Sequence, residues 1–194
     1  MKNPPLILAS TSPYRQQLLA RLGVPFTTAA PQVDEERLPE EPPTALVVRL
    51  AEAKARAVAA AHPQSVIIGS DQVAVLHGAV LGKPGHREAA IAQLHAASGE
   101  RVTFLTGLCL YHAPSGRLQL VCEPFTVYFR RLSSAQIERY VDQEQPFNCA
   151  GSFKSEGLGI ALFHKLEGED PNALIGLPLI RLVTMLAEEG IVVP

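Results

Sequence analysis

The residues able to do chemistry fall in a few short stretches of the chain. Ser10-Thr11-Ser12-Pro13-Tyr14-Arg15 follows an apolar run and opens a helical pattern. A helix start offers unpaired N–H groups, and Ser10, Ser12 and Arg15 beside them suit a phosphate. Ser12 also reads simply as a helix cap, and Arg15 as a solvated first-turn residue. The GxxxxGK[ST] spacing of a P-loop is missing here, so ordinary ATPase chemistry is not implied. Ile67-Ile68-Gly69-Ser70-Asp71-Gln72-Val73 places polar residues in an apolar run where strand propensity and burial oppose them. Asp71 there is either a carboxylate aimed into a cleft as base or metal ligand, or a structural acceptor of turn N–H groups. Val33-Asp34-Glu35-Glu36 gathers carboxylates in a loop, a pattern shared with plain solvated surface. In Leu81-Gly82-Lys83-Pro84 a lysine stands between two residues that constrain the backbone, which suits a positioned cation. Lys54, taken alone, reads as an ordinary exposed helix residue. Cys149-Ala-Gly-Ser-Phe-Lys-Ser-Glu-Gly157 combines small residues with Lys154 and Glu156, as a ligand-approaching backbone or a merely irregular loop would. Together, three cations (Arg15, Lys54, Lys83) and two acids (Glu35, Asp71) match metal-assisted cleavage of a phosphoanhydride: cations hold phosphate oxygens, acids hold a divalent metal and activate water.

These residues need elements to position them. Leu6 to Ala9 reads as a buried strand, and Pro13 opens a helix that ends at Gly23. A brief strand around Phe26 leads into an acidic, proline-rich loop from Pro31 to Pro43. A long Ala-rich helix follows from Thr44 to about Ala61. Ser65 to Leu76 is β-rich but interrupted by Gly69-Ser70-Asp71-Gln72, and the His77-Gly78 turn returns the chain as a strand at Ala79 to Leu81. Arg87 to Ala97 is helical. Two long strands, Val102–His112 and Leu118–Arg130, are joined at Pro114-Ser115-Gly116. Ser133 and Gln136 form a capping-box pattern for a helix to Gln143. Phe147 to Leu162 is irregular, and Asn172 to Glu189 is the last helix, with Pro178 bending it or marking its true start. The alternation of strands and helices with one antiparallel ribbon predicts a single α/β domain over 1–194 on a mixed, partly antiparallel sheet.

Composition bounds the function classes. The 194 residues carry 17 Lys+Arg against 19 Asp+Glu, a net charge of −2 that disfavours a nucleic-acid polymer or an anionic membrane as partner. Apolar residues at 47% are enough for a core and too many for a disordered chain. Cys109, Cys122 and Cys149 are odd in number and lack a CxxC pair, and the histidines lack an HExxH pattern. Bystander thiols in a reducing cytoplasm are therefore expected, without a structural zinc. The apolar run after Pro4-Pro5 is too short for a signal-peptide core, and none approaches a membrane span.

At these residues the chain resembles the Maf family of nucleoside triphosphate pyrophosphatases. The resemblance covers nearly the whole length and is carried by LILASTSPYR, the VDE loop, RLAEAKA, IIGSDQV, GKP, the TGL strand, FR, CAGSFKSEG and LIGLPLI, in that order. It implies a mixed α/β fold of twisted sheet and flanking helices, two lobes around a central cleft, and members that are often homodimers. It also implies hydrolysis of the α–β phosphoanhydride of a nucleotide with a divalent cation (Mg²⁺, Mn²⁺ or Co²⁺). In those terms Asp71 is the general base and a metal contact, and Glu35 assists at the metal. Arg15, Lys54 and Lys83, with Ser10 and Ser12, face the phosphates. Tyr14, Gln72 and Glu156 resemble the branch preferring 7-methyl-GTP, which often has Trp at the place of Tyr14. The branch preferring dTTP and UTP has Arg, Thr and Gln at these places. N7-methylation makes guanine cationic, so an aromatic face at Tyr14 would contribute about 0.5–2 kcal/mol of cation–π attraction. A carboxylate at Glu156 would accept from the base's N1–H and N2–H₂. Two competing expectations stand beside this one: a pyrophosphatase for another modified or canonical nucleotide, and a non-catalytic nucleotide-binding regulator of cell division.

Overall fold

The computed structural model describes residues 4–193. Strand β1 (Leu6–Ala9) is wholly buried, and Ser12 caps α1 (Pro13–Ala20) by accepting from Arg15 N. Strand β2 (Thr27–Ala29) and the acidic loop lead to α2 (Pro43–Ala59). Strand β3 (Val66–Leu76) turns at His77-Gly78 into β4 (Ala79–Leu81) and is followed by α3 (Arg87–Ala97). Strands β5 (Arg101–His112) and β6 (Arg117–Phe129) precede α4 (Ser134–Glu144), whose capping box of Ser133 and Gln136 forms as predicted. Two short 3₁₀ turns (Ala150–Ser152 and Leu158–Leu162) lead to β7 (Phe163–Gly168), α5 (Pro171–Ile175) and α6 (Leu179–Glu188).

Seven strands form one sheet in the order β2-β1-β3-β5-β6-β7, with β4 on β3. β1 is parallel to β2 and β3, while β4 and β7 run antiparallel to their partners, so the sheet is mixed as expected. By compactness the chain divides into two units, with the boundaries inside β3, β5 and β6.

The first unit runs from the N-terminus to Asp71 and adds Thr106–Glu123 and the residues from Asp170 onward. Strand alternation sorts its apolar side chains onto two faces. Leu6 and Leu8, Val66 and Ile68, and Leu108 and Leu110 share one cluster with Leu18, Leu19, Leu182 and Leu186 of α1 and α6. Ile7, Ala9, Ile67 and Cys109 share the other with Ala51, Ala55 and Val58 of α2. Burial on both faces explains why these strands read as continuous apolar runs. The approach of α2 is close: a Cβ on Gly69 would lie 2.0 Å from the Ala51 carbonyl oxygen, and one on Gly107 2.1 Å from that of Val47.

The second unit, Gln72–Leu105 and Pro124–Glu169, has an aromatic core. Phe129 meets Phe163 edge-to-face at 5.0 Å, and Phe153 packs on Phe104, Phe129 and Phe163 at 4.7–5.7 Å.

Three expectations about elements are corrected. β3 is not interrupted at Gly69–Gln72, because the buried Ser70 and Asp71 side chains find partners, described below. The span from Asn172 to Glu189 is two helices, broken at Gly176, whose φ of 119° no helix continues; of the two readings of Pro178, the true start holds, since α6 begins directly after it. β7 was not anticipated: five of its six residues are exposed, so an edge strand of mostly polar residues lacks the alternation that marks a half-buried one. Among the described residues no helix is long and apolar enough to cross a membrane.

Candidate active site

In the first unit α2 lies so tightly on β3 that Lys54, three residues past Ala51, comes over Asp71. Its Nζ donates to Asp71 Oδ1 at 2.6 Å and pairs with Glu35 Oε1 at 2.7 Å. The expectation of an exposed Lys54 is thus corrected, since the residue is only 6% exposed. An ammonium is taken out of water at this depth only when carboxylates replace the lost hydration, and two do so here.

Glu35 reaches this point from a loop with a fastening of its own. The Glu41 carboxylate accepts from Arg49 Nε at 2.6 Å, from Arg49 Nη2 at 2.8 Å and from Leu38 N at 3.2 Å. Arg49 Nη2 also donates to the Glu36 carbonyl at 3.0 Å, and Arg37 donates twice to the Glu41 carbonyl. The loop is therefore tied to α2 by a part-buried bidentate pair, the strongest arrangement available to these groups. Arg49 holds the Glu41 carboxyl below its ordinary range. Asp34 and Glu36 serve the loop itself, Asp34 Oδ1 accepting from Glu36 N at 2.9 Å.

The loop entering α1 is built from its own hydroxyls. Ser10 Oγ accepts from Ser12 N at 3.1 Å, and Ser12 Oγ accepts from Arg15 N at 3.4 Å, so Ser12 is the helix cap. Arg15 is not simply solvated. Its Nε donates to the Gly176 carbonyl at 2.8 Å, and the same carbonyl accepts from Ser70 Oγ at 3.0 Å. Burial lowers the Arg15 pKa, while Asp71 and Glu35 act in the opposite direction, which sets the guanidinium within the field of both carboxylates. Tyr14 stands half-buried in the same first turn.

Gly176 and its support were missed at the level of sequence. Asp170, 1% exposed, caps α5 through Oδ1 to Asn172 N at 2.9 Å and holds the start of α6 through Oδ2 to Ile180 N at 2.7 Å. Asp170-Pro171 is a readable helix-start signal. The role of the Gly176 carbonyl carries no signal, because every residue has one.

Gln72, Lys83 and Glu156 belong to the second unit. Gln72 is half-buried on β3 directly after Asp71. Lys83 is exposed next to the buried Pro84, and the Gly82 carbonyl before it accepts from Gln93 Nε2 at 3.1 Å. Glu156 is exposed in the turn between the two 3₁₀ segments, where its carboxylate accepts from Ser155 Oγ at 3.3 Å.

Among the described residues no group of three or more His, Cys, Asp and Glu could hold a metal ion. Mg²⁺-like cations, however, are commonly held by one or two carboxylates together with waters and substrate phosphates. Glu35 and Asp71 fit that donor set, since both direct an oxygen at a single positive charge.

The Maf-like protein family model matches residues 5–189. A 7-methyl-GTP pyrophosphatase of Alcanivorax borkumensis is 62% identical over 193 residues, covering 100% of this chain and 98% of the relative. One of Pseudomonas aeruginosa is 57% identical over 191 residues, covering 98% of this chain and 100% of the relative. Among solved structures, the Staphylococcus aureus Ham1 protein superposes with a TM-score of 0.54 at 16% identity, covering 95% of this chain and 99% of that one, a likeness of fold alone. With a family match spanning nearly every residue and full-length relatives well above half identical, the chain belongs to the Maf-like family.

Proposed function

We propose that this protein is a nucleoside triphosphate pyrophosphatase that hydrolyses the α–β phosphoanhydride of 7-methyl-GTP, releasing 7-methyl-GMP and pyrophosphate. The observation that carries the reading is the full-length identity of 57–62% to proteins named 7-methyl-GTP pyrophosphatase. The acids and cations of the first unit supply the chemistry it needs. Asp71 is assigned as general base: Lys54 fixes its carboxylate by one oxygen, and the carboxylate takes the proton of the attacking water. Lys54 has three N–H donors; two serve Asp71 and Glu35, and the third is assigned to a phosphate oxygen. Arg15, anchored through Nε, presents its remaining guanidinium donors to the triphosphate, and Ser10 and Ser12 donate their hydroxyl protons to it. Lys83 neutralises the departing pyrophosphate. Glu35 and Asp71 would hold a divalent cation (Mg²⁺, Mn²⁺ or Co²⁺), which when bound polarises the phosphoryl group. Tyr14, Gln72 and Glu156 are assigned to the base. A cytoplasmic homodimer acting on the free nucleotide belongs to the same proposal.

The test is pyrophosphate release from 7-methyl-GTP, GTP, dTTP, UTP and CTP with each of the three cations, for the wild type and Asp71→Asn. The expected result is a clear preference for 7-methyl-GTP and, in Asp71→Asn, a kcat lower by about 10³-fold with nucleotide binding retained. Preference for dTTP would overturn the substrate, inactivity on every nucleotide would favour a binding regulator, and an active Asp71→Asn enzyme would remove Asp71 as base.

A further inference from the structure

Glu156 sits in a turn whose two flanks are both fastened to one face of α4. On the N-terminal flank, Lys154 N donates to the Tyr140 hydroxyl at 3.0 Å, and Lys154 Nζ donates to the Glu144 carbonyl at 2.7 Å. On the C-terminal flank, Leu158 N donates to Glu144 Oε2 at 2.9 Å, while Glu144 Oε1 pairs with Lys154 Nζ at 3.3 Å. Tyr140 and Glu144 are four residues apart, so they stand one above the other on the helix. Gly157 makes the approach possible, since a Cβ there would lie 2.8 Å from Glu144 Oε2. Lys154 at the last turn of α4 also satisfies a carbonyl at the negative end of that helix. Tyr140 is 6% exposed, and burial keeps its hydroxyl protonated. The exposed Glu156, with a hydrogen bond from the adjacent Ser155, is thus the middle of a turn fastened on both flanks to the buried Tyr140 and the half-buried Glu144.

We infer that Tyr140 and Glu144 are positioning residues for substrate discrimination, setting where the Glu156 carboxylate meets the base without touching the substrate themselves. The inference rests on the assignment of Glu156 to base recognition. Without the clamp, the carboxylate samples many positions, and a charge-assisted contact to the base is gained only in a fraction of them. The phosphate chemistry, built on other residues, should be spared.

The experiment measures kcat/KM for 7-methyl-GTP and for GTP in the wild type, Tyr140→Phe, Glu144→Ala, Glu144→Gln, Glu156→Gln, and Glu144→Ala combined with Glu156→Gln. Glu144→Ala should lower the ratio of the two values about tenfold, the worth of one charge-assisted hydrogen bond. Tyr140→Phe, which keeps the buried ring and hence the fold, should lower it less, and GTP turnover should be kept in both. Glu144→Gln retains an acceptor for Leu158 N and should recover part of the ratio. In the Glu156→Gln background, Glu144→Ala should have no further effect. A ratio unchanged in Tyr140→Phe and Glu144→Ala while Glu156→Gln lowers it would overturn the positioning role, as would losses that simply multiply in the double variant. A ratio untouched by Glu156→Gln would overturn the Glu156 assignment and the inference with it. A wild type without preference for 7-methyl-GTP would overturn the substrate reading and, with it, this inference.

Discussion

The placement of Glu35 against Lys54 turns on single side chains outside that pair. Glu41 is the clearest case: it touches neither Lys54 nor Asp71 among the recorded contacts, yet it ties the Glu35 loop to α2 through Arg49. Arg49 depresses the Glu41 pKa, so the sign of its pH effect follows from linkage. The stabilisation is complete above the ordinary value of 4.5 and is lost as pH falls through the lower folded value. Glu41→Gln should therefore unfold at lower urea than the wild type at neutral pH, and the gap between their midpoints should close as the solution is acidified below that range. Equal midpoints at neutral pH would show that the clamp adds no stability. Of these residues, Asp34, Glu35 and Asp71 were legible in the sequence because acids in unusual settings draw notice. Glu41 and Arg49 were not, because an acid in a proline-rich loop and an arginine in a helix are individually ordinary.

Among the elements, the packing of α2 on β3 decides whether the carboxylates and Lys54 meet. Contact at Gly69 and Gly107 is backbone against backbone, so a side chain at either position has nowhere to go. Gly69→Ala should cost about 3 kcal/mol as an overpacking change and lift the helix that carries Lys54. The expected outcome is a lower urea midpoint together with a kcat reduced by more than stability alone explains, measured where the variant remains folded. A kcat equal to that of the wild type would show that helix height does not set the Lys54–Asp71 contact. Most elements were legible from apolar runs, caps and turn residues: β1, the start of α1, α3, the capping box of α4 and the β3–β4 turn all follow such signals. The continuity of β3 was not, because its polar residues are paid for by Lys54 on α2 and by the Gly176 carbonyl beyond α5.

For the molecule as a whole, both faces of the first unit's sheet are covered, and Cys109 lies fully buried under α2. Burial pushes its thiol up to about 12 from an ordinary 9.0. Between those values the unfolded chain loses the proton and the folded chain keeps it, so stability falls as pH rises. The slope from this one thiol grows from about half to nearly the full 1.4 kcal/mol per pH unit as pH rises from about 9 to about 10.5. Urea unfolding followed in steps from about pH 9 to about pH 10.5 should show this slope in the wild type and a shallower one in Cys109→Ala. Identical slopes would mean that the thiol titrates alike in both states. Of the other two cysteines, Cys122 and Cys149 are half-buried.

By itself the sequence determined the fold class, the order of most elements and the family, because apolar periodicity, caps and turn pairs are local signals and the motifs recur in order along the chain. It also marked Asp71, Glu35, Arg15 and Lys83 as chemical candidates, since polar residues in costly or constrained settings stand out. Only the tertiary structure decided that Lys54 is buried between Glu35 and Asp71, that Arg15 and Ser70 share the Gly176 carbonyl, and that α4 holds the turn of Glu156 from both sides. The physical reason is common to all three. Each partner is distant in sequence or is a backbone atom that any residue possesses, and two of the three arrangements also need a close approach that glycine allows, of α2 at Gly69 and of the Glu144 side chain at Gly157.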